Sequence, residues 1–210
     1  MGAKIRKDKH IPEQVTGTVM NAVEKVQLNS EAEAMHFFKM VCDRLLDVNS
    51  WAEIAGIPMS TFTLTDLGGK EVKRKAMVGD HLKINVPGPG SKTGDGYDWV
   101  QIEEIKREIQ TDAELLSMTA RPAPNPLKED PHTAHFLTAE ATSTFQIRRI
   151  GNIVYAEEHG RNEVPNTNTS YTMDNIRNTM VGWAAKIGFS YPQWKALVKG
   201  LLNRENLKHN

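Results

Sequence analysis

The sequence predicts an α+β fold in which a curved, seven-stranded antiparallel sheet wraps around a long C-terminal helix. Apolar residues alternate with a period of two through the middle of the chain, between Ser60 and His159. Helical spacing occurs in a pair of segments after the first strand and returns after residue 171. Because a long helix is one of the few elements that can cover so many half-buried strands, the sheet and the helix are expected to enclose one core.

Length and composition indicate a single globular domain without strong charge. The chain has 210 residues, of which 39% are hydrophobic and 25% are charged. Because Lys plus Arg and Asp plus Glu both number 26, no net field attracts nucleic acid or an anionic membrane. A single cysteine, Cys42, excludes an internal disulfide framework, and the first residues contain no apolar segment. We therefore expect a cytoplasmic protein that neither binds nucleic acid nor inserts into a membrane.

The first elements are a strand and two helices. Residues 22–28 alternate as a strand does. Ser30, followed three residues later by Glu33, has the capping-box spacing that begins a helix, and the apolar residues that follow predict this helix over 31–47. A second capping pair and a glycine stop predict a short helix over 51–55, joined to the first by a short loop.

Six further strands follow from the alternation of apolar residues. Turn-forming residues separate them, and the turn Gly151-Asn152 joins the last two strands as a hairpin. Successive strands of such a meander pair with their neighbours along the chain. The apolar positions that define the strands, in chain order, are Phe62 and Leu64; Leu82, Ile84 and Val86; Val100 and Ile102; Leu116, Met118 and Ala120; Leu137 to Ile147; and Ile153 to His159.

The C-terminal part is predicted to be helical. Apolar residues at helical spacing from 172 to 187 predict the long helix, which Gly188 ends. Ser190 and Gln193 then cap an additional helix. The chain is thereby divided into a flexible N-terminal extension over 1–14, the sheet-and-helix domain over 15–188, and an additional helix over 189–210 that packs on the same domain.

Four stretches carry a resemblance to a known superfamily. They are Asp47-Val48-Asn49-Ser50-Trp51 at the helix pair, Val78-Gly79-Asp80-His81-Leu82 at a strand entry, the hairpin 145–156, and the long helix from Thr172. Together with the order of elements, they resemble the SRPBCC superfamily, which includes START lipid-transfer domains, birch pollen allergens and polyketide cyclases, over residues 20–188. The resemblance implies the helix-grip fold and favours a ligand cavity between the sheet and the long helix. The additional helix and the N-terminal extension depart from the pattern.

Three long connections indicate where such a cavity opens. In an up-and-down meander the loops 87–98, 121–134 and 160–171 lie at one end of the sheet, and loops of this length are often functional. The first contains Gly-Ser-Lys-Thr-Gly, but Ser91 separates the glycine from the lysine, and Gly94-Asp95-Gly96 cannot open a helix as a phosphate-binding loop requires. We therefore interpret this stretch as one of the loops that border a ligand entrance.

The predicted cavity lining is apolar, with one basic residue at its edge. Small side chains and flexible methionines suit an adaptable pocket, although the same side chains would equally fill a solid core. The function predicted from this lining is the binding or transfer of a hydrophobic or amphipathic small molecule, such as a lipid-like or polycyclic compound, without a cofactor. The predicted ligand-binding residues are Leu82, Ile84, Met118, Ala139, Ala141 and Phe145 of the sheet, Met173, Met180 and Trp183 of the long helix, and Arg161, which would meet a polar head group.

One polar cluster offers an alternative, catalytic function. If strand alternation continues, Tyr155, Glu157 and His159 share one face, and a carboxylate beside an imidazole could transfer protons in a cyclase- or hydrolase-like enzyme. Val154 and Ala156 compete for the same inner face, which would turn the cluster outward as a solvated strand end. The sequence leaves both orientations open.

Two other features concern metal binding and protein docking. His132 and His135 form a His-x-x-His pair, but no fixed third ligand lies near them, so no metal is predicted. The additional helix carries Trp194 and Leu201, which could dock a partner or a second copy in a homodimer if the core were filled. The third hypothesis is therefore a protein-interaction module.

Overall fold

The computed structural model describes residues 7–57, 60–86, 91–167 and 190–204. Within them lies one antiparallel seven-stranded sheet with the spatial order β1-β7-β6-β5-β4-β3-β2, as the sequence predicts. Only β1 leaves the meander, because it pairs with the last strand instead of the second. The strands are β1 Thr18–Gln27, β2 Thr61–Thr65, β3 His81–Asn85, β4 Asp98–Ile109, β5 Ala113–Pro122, β6 Thr142–Ile150 and β7 Ile153–Glu163.

The predicted helix pair follows β1. Helix α1 spans Glu31–Leu46, and the Ser30 hydroxyl accepts a hydrogen bond from the Glu33 amide at its start. Helix α2 spans Trp51–Ala55 and ends at Gly56, whose φ of 66° is the left-handed conformation that glycine adopts at a helix end. With the strand order, this pair confirms the predicted helix-grip arrangement of sheet and inserted helices.

A third helix, α3, spans Ser190–Leu201 and packs inside the domain. Leu197, Val198 and Leu201 are buried in the main core, and the Trp194 ring lies 5.2 Å from that of Phe145 between centroids. The face that was considered for docking a partner is therefore turned inward. The predicted long helix, with Met173, Met180 and Trp183, lies outside the described residues.

The sheet has an inner face, which meets the helices, and an outer face. Residues directly opposite each other on neighbouring strands point to the same side. Val154 and Ala156 are fully buried in the core that α1 and α3 share with the sheet, so the even-numbered residues at this part of β7 point inward. The competition between the two orientations of β7 is thus decided in favour of Val154 and Ala156.

The chain before β1 runs over the outer face and is tied to the sheet at two points. At β7, the Asn162 Oδ1 accepts hydrogen bonds from the backbone amides of Val15 and Thr16 at 2.7 and 3.1 Å. At β4, Glu108 accepts from Lys9 and His10, both at 2.7 Å. Since β6 and β5 lie between these strands, the segment from residue 9 to residue 16 crosses half the sheet.

Replacing Asn162 by glycine is expected to release this segment. Asn162 has a φ of 55°, which glycine adopts without strain, so Asn162→Gly removes the side-chain hydrogen bonds and little else. We expect amides 13–17 to exchange with deuterium about tenfold faster or more, because each buried hydrogen bond contributes about 1 kcal/mol. Unchanged exchange would mean that the side chain does not hold the segment, and amides of β5 serve as the internal reference.

Candidate functional site

A cavity of about 80 Å³ lies between the inner face of the sheet and α3. Most of its lining is apolar, and its polar residues lie at the ends of β6 and β7, on α3, before β2 and in the loop before β6. It lies at the end of the sheet where β6 begins. The cavity that the sequence predicts lies between the sheet and the long helix, which is outside the described residues. The lining residues are Ser60, Phe62, Leu82, Ile84, Val86, Val100, Ala120, Pro122, His135, Phe136, Leu137, Ala141, Thr142, Ser143, Phe145, Glu163, Gln193 and Trp194.

Only some of the predicted lining residues reach the cavity. Leu82, Ile84, Ala141 and Phe145 line the cavity. Met118 is fully buried on the same face but belongs to the packed core beside it.

Ala139 does not reach the cavity. The apolar alternation that predicts the sixth strand starts at Leu137, but β6 begins only at Thr142. Leu137 instead pairs with Pro165 in an isolated bridge. Ala139 is exposed there, and its carbonyl accepts a hydrogen bond from Arg121. Its placement on the sheet's inner face is therefore wrong.

The described part of the glycine-rich loop, residues 91–97, is not among the residues that line the cavity. Its Ser91 and Thr93 are buried, and the Gly94 carbonyl accepts a hydrogen bond from the indole of Trp99 at 3.1 Å. Asn125 donates to Asp95 at 3.1 Å, which joins this loop to the connection after β5. The two loops lie side by side as predicted, but residues 91–97 do not line the entrance, and residues 87–90 lie outside the described ranges.

The cluster considered for proton transfer lies on the outer face. Glu157 is opposite Gln146 and Val23, and its Oε2 lies 3.0 Å from Nε2 of His159, so the two residues do meet. The other oxygen of Glu157 accepts from Arg148, whose guanidinium stacks over the Tyr155 ring. These groups form a buried charge network, separated from the cavity by the sheet itself.

Electrostatics agree with an ionised Glu157. Burial alone would raise its pKa, but hydrogen bonds from His159 and Arg148 outweigh burial and lower the pKa below the ordinary value. Arg161 takes part in the same network, since it donates to Asn21 Oδ1 at 3.0 Å and to the carbonyls of Met20 and Gly160. Its guanidinium is thereby occupied by the protein and does not line the cavity.

The sequence analysis did not identify Glu158, which lies between Glu157 and His159. Glu158 is opposite Phe145 and Ala22, which places it on the inner face, and its exposed fraction is 0%. Neither carboxyl oxygen has a hydrogen-bond partner with acceptable geometry among the described residues. Burial, and next the charge of Glu163, raise its pKa well above the ordinary value, against smaller opposing effects of Ser143 and Arg161. Burial therefore favours the neutral acid form of Glu158.

Glu163 brings a second carboxyl group to the same wall. It lines the cavity, and its Oε1 would lie 2.6 Å from a Cβ atom built on Gly160, so its side chain occupies the space that this glycine leaves. Ser143, which also lines the cavity, is directly opposite Gly160 on β6. The signal that could have revealed this wall is the parity of β7: once Val154 points inward, Glu158 and Gly160 follow.

Gln193 and His135 also line the cavity. Gln193 of α3 is buried; its Oε1 accepts from the Ser60 amide at 3.0 Å, but its Nε2 has no acceptor among the described residues. His135 accepts from the Leu137 amide at Nδ1, so the proton of the neutral ring is on Nε2. The cavity therefore combines an acidic wall with at least one unused hydrogen-bond donor.

The described residues contain no group of three or more His, Cys, Asp or Glu side chains that could hold a metal ion. His132 pairs with Asp130 at 2.6 Å, whereas His135 bonds its own loop. No helix in the described ranges combines the length and the apolar character that crossing a membrane requires.

Comparison with known proteins gives remote likenesses. No family model and no curated protein matches the sequence. Among solved structures, the chain is similar to a hypothetical protein from Helicobacter pylori, with 14% identity, coverage of 96% of this chain and 95% of that chain, and a TM-score of 0.48. It is also similar to norcoclaurine synthase from Thalictrum flavum (9% identity, 95% and 100% coverage, TM-score 0.43) and to a major latex-like protein from Panax ginseng (12%, 81% and 98%, 0.32). The fold assignment rests on the strand order and the helix pair, and these likenesses carry no argument about function.

Proposed function

We propose that the chain binds a small hydrophobic or amphipathic molecule in the cavity between the inner face of the sheet and α3. The observation that carries the proposal is a lining that is mostly apolar and contains a few polar residues. Such a combination is typical of small-molecule sites, in which apolar surface supplies affinity and polar groups fix orientation. The role is binding, and it needs no cofactor.

The size of the cavity sets the expected affinity. A volume of about 80 Å³ accommodates a compact group rather than a long chain. Burying about six carbon atoms contributes roughly 5 kcal/mol at about 0.8 kcal/mol per methylene, before the costs of association. We therefore expect a dissociation constant in about the millimolar to high-micromolar range for a fragment of that size.

The two alternatives have less support. The candidate proton-transfer residues Tyr155, Glu157 and His159 are on the outer face, so a ligand in the cavity would not reach them. The apolar face of α3 contributes Leu197 and Leu201 to the core, so it is not available for docking. Neither observation favours a cyclase-like enzyme or an interaction module.

Filling the cavity tests the proposal. Ala120 is buried on β5 and lines the cavity, so Ala120→Leu places three more carbon atoms where the ligand would lie. We expect the dissociation constant for benzyl alcohol, followed by NMR chemical-shift titration, to rise at least tenfold. Overpacking can also destabilise a core by about 1–3 kcal/mol, so thermal unfolding is measured alongside to show that the variant is folded at the titration temperature.

Ala139→Leu is the matched control, since Ala139 is exposed and outside the lining. Its affinity for benzyl alcohol should equal that of the unmodified protein. Equal binding by Ala120→Leu would place the ligand elsewhere. Failure of the unmodified protein to bind any apolar fragment, together with no co-purified molecule in native mass spectrometry, would refute the proposed function.

A further inference from the structure

We propose that the ligand of this cavity is an aromatic compound that carries an oxygen atom next to its ring. The ring packs against Phe62, Phe145 and Trp194, and the oxygen accepts a hydrogen bond from the side chain of Gln193. The inference rests on the proposed function, because it names the class of ligand that the same cavity takes. It distinguishes this cavity from one that holds an acyl chain or a saturated ring.

Aromatic side chains from three elements contribute to the lining. Phe62 of β2, Phe145 of β6 and Trp194 of α3 all line the cavity. Between ring centroids, Trp194 lies 5.8 Å from Phe62 and 5.2 Å from Phe145. Phe136, in the loop before β6, adds a ring that stacks on the His135 imidazole at 4.4 Å. Since aromatic rings attract one another at centroid separations of about 4.5–7 Å, a ligand ring among them gains more than its apolar area supplies.

The size and the composition of the cavity also favour a ring over a chain. A volume of about 80 Å³ suits a compact group such as a single ring. The described lining contains no methionine, the side chain whose flexibility suits a pocket for long and variable chains. Trp194 is less buried than Phe62 and Phe145, so part of its ring is not covered by the rest of the protein.

The polar end of the ligand follows from Gln193 of α3. This side chain lines the cavity, is only 3% exposed, and its Oε1 accepts from the Ser60 backbone amide at 3.0 Å. Because a backbone amide only donates, this bond identifies the oxygen, and Nε2 is the donor. Nε2 has no acceptor among the described residues. Buried polar groups are almost always paired, so the ligand supplies an oxygen that accepts from Nε2.

Four probes test the ring and the oxygen separately. Toluene and methylcyclohexane differ in aromaticity, and anisole and ethylbenzene differ in one ether oxygen. In the full chain, NMR should show NOEs from the ring protons of anisole to those of Phe62, Phe145 or Trp194, and from its methoxy group to the side-chain amide of Gln193. Bound anisole that lacks either set of NOEs would overturn the inference and leave a ligand-binding cavity in place.

Phe62→Leu tests the contribution of the rings, because it removes three carbon atoms and one ring from the lining. We expect the preference for toluene over methylcyclohexane, measured as the ratio of their dissociation constants, to fall about threefold or more relative to the unmodified protein. Hydration of the free ligands is common to both proteins, so it cancels in this comparison. Ile84→Ala also removes three carbon atoms from the lining but no ring, and it should leave the ratio unchanged. The same ratio in Phe62→Leu as in the unmodified protein would contradict the aromatic assignment.

Gln193→Glu tests the oxygen, because it keeps an acceptor for the Ser60 amide and replaces the donor with a second oxygen. The preference for anisole over ethylbenzene should fall about fivefold or more. Gln27→Glu makes the same change at an exposed site and should not alter it. An unaltered preference in Gln193→Glu would overturn the assignment of the oxygen. If either cavity variant does not fold, the NOEs on the unmodified chain still decide the inference. If none of the four probes binds, the proposed function has failed.

Discussion

Glu158→Leu is expected to stabilise the protein at pH 7, by about 1–3 kcal/mol in the free energy of unfolding. The glutamate is wholly buried, and neither of its oxygens makes a hydrogen bond of acceptable geometry among the described residues, although Ser143 is close enough to favour its charged form. Leucine has a similar size and carries no polar atom, so the substitution removes the desolvation cost without leaving a large void. Urea unfolding followed by circular dichroism measures the difference.

The stabilisation by Glu158→Leu is expected to depend on pH. The folded pKa of Glu158 is raised, so the unfolded chain loses this proton near pH 4.3, while the native chain still holds it. Between the two pKa values the native state binds the extra proton, and the contribution of this group to stability falls as the pH rises. The advantage of Glu158→Leu should therefore grow from about pH 4 towards neutral pH.

The control is Glu129→Leu, which introduces the same side chain at an exposed position and should change the free energy of unfolding by less than about 0.5 kcal/mol. A loss of stability in Glu158→Leu would mean that the carboxyl group is satisfied in solution. A stabilised variant that binds benzyl alcohol more weakly would indicate that the protein keeps a costly group for its ligand, as binding sites often do.

Arg149→Met is expected to lower the free energy of unfolding by about 3–5 kcal/mol. Arg149 and Glu114 are directly opposite on β6 and β5, and their side chains are only 1% and 8% exposed. The guanidinium donates to Glu114 at 2.6 Å and to the Gly151 carbonyl at 3.0 Å. Methionine fills the space but leaves a buried carboxylate without its counter-charge.

Lys75→Met provides the comparison. Lys75 pairs with Asp43 at 2.5 Å, but both side chains are more than half exposed, at 58% and 57%. Water screens this pair, so its loss should cost less than about 1 kcal/mol by the same urea unfolding measurement. Equal losses for the two variants would contradict the view that burial, and not the presence of an ion pair, sets the effect.

The strands were predictable because their alternation is set by one buried face. The orientation of β7 was not, because both of its faces are buried: Ala156 and Glu158 by the helices and the core, Glu157 and His159 on the outer face that the N-terminal segment crosses. Alternation of apolar and polar residues identifies the core-facing side of a strand only when its other face is exposed to solvent. A polar residue on either face of such a strand looks the same in the sequence.

Two placements failed for a related reason. Ala139 belongs to an alternating pattern, but the backbone partner of this stretch is Pro165, outside any strand. The alternation of apolar residues therefore extends beyond the residues that pair in the sheet. The glycine-rich loop is held by contacts that local composition does not encode, including the hydrogen bonds from Trp99 to Gly94 and from Asn125 to Asp95. The length of these loops predicts a functional role, but the path of a loop depends on residues that are far from it in the sequence.

The pairing of β1 with β7 has a consequence for how the chain folds. Thr18 pairs with Glu163, and Gln27 pairs with Ile153. Among the described strands, β1 therefore pairs only with β7, more than one hundred residues later in the chain. Pairings this distant make folding slow, because loop closure precedes the contacts that compensate for it. During synthesis β1 is made before the other six strands and stays unpaired, while the hairpins from β2 to β6 can already form. The sheet is completed only when β7 arrives, and the segment before β1 can then reach Asn162.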